Sequence, residues 1–470
     1  MSKLLIGGRW VDGVSTDRLV DKFRGEVFAE MAVASPEQVD EAVAGALAAV
    51  EASTLAPYER YRILSAAARL VEERSERLIA LMRDEAGFTR ADGDNEVRRC
   101  VQTLELSAEE AKRLHGELVP MEAGAGVRDR LGFTIRVPRG VICAITPFNS
   151  PLNVLAHKVA PALAGGNAVV IKPSNHTPLS AVELCRALID AGLPPELLAL
   201  LHGPGSAIGR RLLEDPRIAF YAFTGSTRVG REIQAAAGLR GTQLELGSIA
   251  STIVCHDADI ERAIPKIVNA GFRKAGQVCT SVQRLFVDRR IAGRFVPRLV
   301  EAVQAAKAGD PADPSVVIGP MITPEHATRA ASWVREAVAG GARILTGGTH
   351  EGSVFEPTVL DRVDESMRVV CEEIFAPVVS VIEFDDVGEA VARANASPFG
   401  LSAGLFTSDI STALRTARLL RFGGVHINEA SSARVDAMPF GGVKDSGFGR
   451  EGPAYAIREM TEERLITIAY

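Results

Sequence analysis

The 470-residue chain is poor in aromatic residues, at 5%, and has only six cysteines. Those cysteines, Cys100, Cys143, Cys185, Cys255, Cys279 and Cys371, are scattered, and no two form a CxxC pair. This spacing argues against a disulfide framework and against a zinc site, so no metal is expected. Also missing is any uninterrupted apolar run of the ~18 residues that a membrane span needs. The most apolar stretch, 152 to 171, is broken by His157, Lys158 and Asn167. The first residues lack the apolar core and small-residue cleavage site of a secretory signal. A net charge of −6 without long basic runs leaves no footprint for nucleic acid. These absences together predict a reduced, cytoplasmic protein that engages neither membrane nor nucleic acid.

What is present suits an α/β protein. Hydrophobic residues make up 47% and glycines number 43, enough for a large core cut by many turns. The length is more than one typical domain uses, so two or three are expected. Ser35-Pro36-Glu37-Gln38 has the cap, first-turn proline and reciprocal Gln of a helix start, and Val39, Val43, Ala46 and Val50 follow at helical spacing. Residues 58 to 116 read as further amphipathic helix, and 117 to 138 as an extended hairpin. From 139 onward short apolar strands alternate with helices, and the alternation resumes after 250, which argues for parallel sheets. Two α/β domains joined near 245 to 250 are the simplest division. The alternating run around Leu465, Ile466 and Ile468 predicts a terminal strand, with the 117 to 138 hairpin of a second subunit as its expected partner.

Three residues stand out chemically. Cys279 lies in Ala-Gly-Gln-Val-Cys-Thr-Ser, a polar, turn-like setting from which a thiol can reach a substrate. A thiolate is a strong nucleophile once its pKa is lowered or a base assists it. Glu245 sits between two leucines, and burial there raises its pKa toward that of a general base. An exposed, inert glutamate is the alternative. Asn149, between Pro147 and Pro151, could donate its amide N–H to an oxyanion or form a turn. Phe223-Thr-Gly-Ser-Thr-Arg-Val-Gly230 follows a strand and opens a helix, the kind of start that attracts phosphate. Gly203 to Gly209 is one residue too long for GxGxxG, so either segment alone also fits a simple turn. Lys172 closes a strand, where a ribose or phosphate contact is well placed.

The segments TPFNSP (146 to 151), KPSNHTPLSA (172 to 181), FTGSTRVG (223 to 230), LELGS (244 to 248), GQVCTS (276 to 281), EEIFAP (372 to 377) and PFGGVKDSGFGREG (439 to 452) occur in this order. Together they resemble the NAD(P)-dependent aldehyde dehydrogenase superfamily, from about residue 3 to the end. The resemblance implies oxidation of an aldehyde to a carboxylic acid with NAD or NADP. Cys279 then corresponds to the nucleophile that forms a thiohemiacetal, and Asn149, with the Cys279 N–H, to the oxyanion site. Hydride loss leaves a thioester, and Glu245 corresponds to the base that activates water for its hydrolysis. Lys172 and Glu373 correspond to ribose contacts, Phe375 to a nicotinamide wall, and Gly225 and Ser226 to pyrophosphate contacts. Ile145, Thr146, Pro147, Phe148, Ser174, Asn175, Gly205, Gly209, Phe223, Val229, Leu246 and Gly247 complete the implied cofactor set.

The implied architecture has two open parallel-sheet α/β domains and a β-hairpin oligomerisation element. A Rossmann-like cofactor domain would take 1–119 and 139–247, a catalytic domain 248–445, and the oligomerisation element 120–138 with 446–470, in a homodimer or homotetramer. Three departures from the family pattern matter. LELGG reads LELGS with Ile249 following, and TPWNFP reads TPFNSP. Asn175 stands where many NAD-selective members carry a glutamate, which opens the site to NADP. A CoA-acylating reaction and a catalytically silent scaffold are the alternatives, and the joint presence of Cys279, Glu245 and Asn149 argues against both. Arg434, in a loop expected at the substrate entrance, reads either as a contact for a substrate anion, as for a semialdehyde, or as a surface arginine.

Overall fold

The structure, a computed structural model, describes residues 2–470. The helix Pro36–Ala52 starts as expected: Ser35 Oγ accepts from the Gln38 N–H, and Gln38 Oε1 accepts from the Ser35 N–H at 3.0 Å. Its buried Val39, Ala42, Val43 and Ala46 pack on the first sheet. The 58 to 116 segment divides into three helices, Pro57–Glu73, Ser75–Ala86 and Arg90–Arg113. The last break is chemical. Gly87 takes a left-handed φ of 72° as a C-cap, and Thr89 with Asp92 forms the next capping box.

The first sheet has eight strands. Its parallel centre comprises Leu198–Leu200, Ala168–Lys172, Val141–Ile145, Ile218–Thr224 and Gly241–Glu245, in that spatial order. Leu4–Ile6 and Arg9–Val11 extend one edge antiparallel, and Gly447–Phe448 the other. Ala168–Lys172 is buried throughout, as a strand covered by helices on both faces must be. The strand order reverses beside Val141–Ile145, and a crevice opens there at the carboxyl ends of the strands.

The second sheet has seven strands, built around parallel Thr358–Asp361, Val378–Phe384, Arg284–Asp288, Ser251–Val254, Ser402–Phe406 and Gly424–Ile427. Each sheet has its own buried apolar cluster, and the two clusters share no residue. The connection between them runs through 246 to 250.

The terminal strand corrects one expectation. Thr461–Ala469 pairs antiparallel with Arg130–Pro138 of its own chain, from Thr461 opposite Pro138 to Ala469 opposite Arg130. The short helix Pro453–Glu459 packs on Asn153–Ala164 and delivers the strand to this site, so pairing costs no association entropy. Arg136 secures the junction by donating to the Thr461 carbonyl at 3.0 Å. Of 446–470, only this strand joins the hairpin sheet, since Gly447–Phe448 belongs to the first sheet. Among the described residues no helix is long and apolar enough to cross a membrane.

Candidate active site

A cavity of about 610 Å³ opens where the carboxyl ends of the first sheet face the second domain. Asn149, Glu245 and Cys279 all line it, although they come from three distant segments. Asn149 follows the strand Val141–Ile145, with Pro147 before it and Pro151 after it. Its Nδ2 donates to the Gln277 carbonyl at 2.7 Å, which fixes the amide and leaves a second N–H for a substrate oxygen. Cys279 follows a tight turn in which Lys274 and Ala275 have φ of 53° and Gly276 of 67°. At Gly276 a Cβ would lie 2.2 Å from the Ala376 carbonyl oxygen, so only glycine fits.

Cys279 is partly open to the cavity and otherwise enclosed. Burial pushes its thiol up to about 12, Glu245 adds to the rise once it is ionised, and Arg434 opposes it. The sequence left open whether the surroundings lower the thiol's pKa or a base assists it; burial raises the pKa, so proton removal has to accompany the reaction. A thiol with a raised pKa ionises only at high pH. Iodoacetamide alkylation of Cys279 without cofactor should be slow at pH 7 and climb about tenfold per pH unit. A plateau reached near neutrality would show a preformed thiolate instead.

Glu245 ends the strand Gly241–Glu245, fully buried, and neither carboxylate oxygen has a hydrogen-bond partner. Burial pushes its carboxyl well above the ordinary range, and the charge of Glu451 adds to this. Glu451 is equally buried. Despite that burial, Lys158 and Arg434 hold it below the usual range, with Lys158 Nζ donating at 3.0 Å and Arg434 Nη2 at 2.8 Å. The proton of this carboxylate pair therefore belongs on Glu245.

Of the expected cofactor set, fifteen residues line the same cavity: Thr146, Pro147, Phe148, Lys172, Ser174, Asn175, Gly205, Phe223, Gly225, Ser226, Val229, Leu246, Gly247, Glu373 and Phe375. Ile145 and Gly209 do not. Ile145 turns its side chain into the first apolar core. Gly209 closes the helical turn Gly205–Gly209, beyond the cavity wall. Ser226 caps the helix Thr227–Ala237 and accepts from the Val229 N–H at 3.4 Å, which presents a helix start to the cavity. Lys172 Nζ donates to the Pro173 carbonyl at 3.1 Å and to Asn175 Oδ1 at 3.4 Å, and burial brings its ammonium down to about 8. Glu373 accepts from the Ser248 N–H at 2.9 Å, and burial pushes it up to about 7. Phe148 meets Phe375 edge to face at 5.9 Å. A helix start for pyrophosphate, polar groups for ribose and aromatic walls fit a dinucleotide.

The other end of the cavity is cationic. Arg434 is no surface arginine: its side chain is only 13% exposed, lies 3.8 Å over the Phe440 ring, and pairs with Glu451. Arg99 is held bidentate by Asp436, at 2.6 and 3.1 Å. Arg273, six residues before Cys279, went unnoticed in the sequence. Its Nη2 donates to Ser432 Oγ, and no carboxylate among the described residues forms an ion pair with it. The adjacent Arg-Lys at the end of an apolar helix was the signal that could have revealed it. Lys274, Thr280 and Ser432 border the same end.

Comparison with known proteins agrees with this geometry. The family model for the aldehyde dehydrogenase family matches residues 10–466. The chain is 45% identical over 465 residues to the 3-sulfolactaldehyde dehydrogenase of Priestia aryabhattai, covering 99% of this chain and 97% of that one. The crystal structure of aldehyde dehydrogenase 21 from Physcomitrella patens, in complex with the reaction product succinate, superposes with a TM-score of 0.97 at 34% identity, covering 100% of this chain and 98% of that one. The NADP complex of glyceraldehyde-3-phosphate dehydrogenase GapN from Methanocaldococcus jannaschii superposes with a TM-score of 0.93 at 36% identity, covering 97% and 100%. The chain thus belongs to the aldehyde dehydrogenase family, as an oxidoreductase that oxidises aldehydes to acids with NAD or NADP.

Proposed function

We propose that the substrate is a short aldehyde carrying an anionic group such as a sulfonate or carboxylate, held by Arg273 while Cys279 attacks the aldehyde carbon. The observation that carries this reading is the cation itself. Arg273 shares the cavity with Cys279 and makes no direct ion pair; Asp92 and Glu96 reach it only through their charge, its one side-chain hydrogen bond is to Ser432, and a largely enclosed guanidinium without a contact anion is costly. A substrate anion supplies that partner. Arg434 and Arg99 are already neutralised by Glu451 and Asp436 and are weaker candidates. The relative named for 3-sulfolactaldehyde and the structure holding succinate point to the same substrate class.

In this mechanism Cys279 loses its thiol proton to water in the cavity and its Sγ adds to the carbonyl carbon. The Asn149 amide and the Cys279 N–H receive the developing oxyanion. Lys172, Ser226, Glu373 and Phe375 would hold NAD(P)+, which would supply the hydride acceptor. The resulting thioester stays on Cys279 until Glu245, having released its own proton to solvent, takes one from the attacking water. A buried carboxylate without hydrogen bonds is a strong base once ionised, and its presence favours water over CoA as the acyl acceptor.

NADP is admitted beside NAD in this reading, because Asn175 offers no negative charge where a 2′-phosphate would lie. Asn175→Glu should lower kcat/KM with NADP by about tenfold or more relative to NAD, through like-charge repulsion. An unchanged ratio would place the 2′-position elsewhere. A panel of neutral and anionic aldehydes assayed with NAD and NADP in parallel tests both assignments.

The chain works as a homodimer or homotetramer in the cytoplasm. The terminal strand supports assembly, since its outer edge is unpaired and Leu465 and Ile468 are exposed on it. The domain division is 1–117 with 139–247 for the cofactor, 248–445 for catalysis, and 118–138 with the terminal strand for assembly, since Leu118–Val119 pairs with Arg130–Pro138.

A further inference from the structure

We propose that the buried Glu96–Lys274 pair positions the nucleophile against its oxyanion donor, the Lys274 ammonium acting through Asn149 and Cys279 because its hydrogen bonds go to Glu96 and Asn149. The proposal rests on the roles given above to Cys279 and Asn149. Glu96 comes from the helix Arg90–Arg113 of the first domain, and Lys274 from the turn before Cys279 in the second. Both are buried, Glu96 completely.

The clamp is reciprocal. The Asn149 side chain donates to the backbone of the cysteine turn, at Gln277 O, 2.7 Å. The Lys274 side chain donates back to the backbone of Asn149, at its carbonyl, 2.9 Å. Lys274 Nζ also donates to Glu96 Oε2 at 2.9 Å and lies 4.3 Å from the centre of the Phe88 ring. The other Glu96 oxygen accepts from Ser150 Oγ at 2.6 Å and from the Asn153 N–H at 2.9 Å. One carboxylate thus binds the residue after Asn149, the helix that follows, and the turn that precedes Cys279.

That turn needs holding. Lys274 and Ala275 both sit at φ 53°, a left-handed conformation that non-glycine residues rarely adopt. Such strain persists only where the surroundings overdetermine it. Gln277 adds to the restraint: its Nε2 donates to Lys274 O at 3.2 Å and its Oε1 accepts from the Ile322 N–H at 3.0 Å.

The test separates backbone conformation from the ion pair. Asparagine tolerates positive φ but cannot reach Glu96, so Lys274→Asn keeps the turn and loses the clamp. Its first-turnover NAD(P)H burst should slow by at least about tenfold, while KM and cofactor affinity change by less than about threefold. Lys274→Arg should recover part of the rate. The double variant Glu96→Gln/Lys274→Met leaves no unpaired charge, and it carries the test if a single variant does not fold. It should melt near the wild-type temperature yet keep the slow burst. A wild-type burst in Lys274→Asn, or full recovery in the double variant, would overturn the proposal. Cys279→Ser run alongside keeps the two ideas apart. If it still forms NAD(P)H, the assignment of the nucleophile has failed; if it is inactive while Lys274→Asn is unimpaired, only the clamp has.

Discussion

Glu245→Gln should still release one equivalent of NAD(P)H in its first turnover and then stall. Steady turnover should fall about 10²- to 10⁴-fold, the range that a positioned general base contributes. The split follows from the division of labour in the site. Cys279 and Asn149 carry addition and oxyanion binding, whereas only deacylation needs a proton taken from water. The amide matches the carboxylate in shape, and Glu245 makes no hydrogen bonds that the change could break. Rapid-quench or stopped-flow absorbance distinguishes burst from steady rate. Loss of the burst as well would mean that Glu245 also takes the proton of the Cys279 thiol, which burial holds up at about 12.

Arg273→Met should cut kcat/KM for an anionic aldehyde about 30- to 4,000-fold, as expected for losing about 2–5 kcal/mol from an enclosed charge pair. A neutral aldehyde of similar size should lose less than about threefold, since nothing in it needs the cation. Arg273→Lys keeps the charge but not the planar fork, so it should recover only part of the loss. Equal losses on both substrates would mean that Arg273 serves the cysteine turn and not the anion.

What the sequence disclosed and what it hid have a common cause. Cys279, Asn149 and Glu245 lie in short segments whose composition and order carry the signal, and the fold brings all three to one cavity. The capping box at Ser35 and the alternating strands were legible for the same reason: their determinants are local. Glu96 and Lys274 are 178 residues apart and meet only because two domains close on each other. No local pattern marks such a pair. Gly209 and Ile145 fail in the opposite sense. They neighbour true cavity residues in sequence, but a helical turn and the strand's alternation direct them away. The terminal strand was recognisable from its alternation, while its partner depended on where the preceding helix delivers it. Arg434 reads as a surface residue until Glu451 and Phe440 are seen around it.

The central claim, a covalent acyl intermediate on Cys279 released by Glu245, is tested most directly by mass spectrometry of the Glu245→Gln variant after reaction with aldehyde and NADP. The account predicts one acyl adduct on the peptide carrying Cys279, removable by hydroxylamine and absent when the cofactor is omitted. NADPH formation with that peptide unmodified would contradict it.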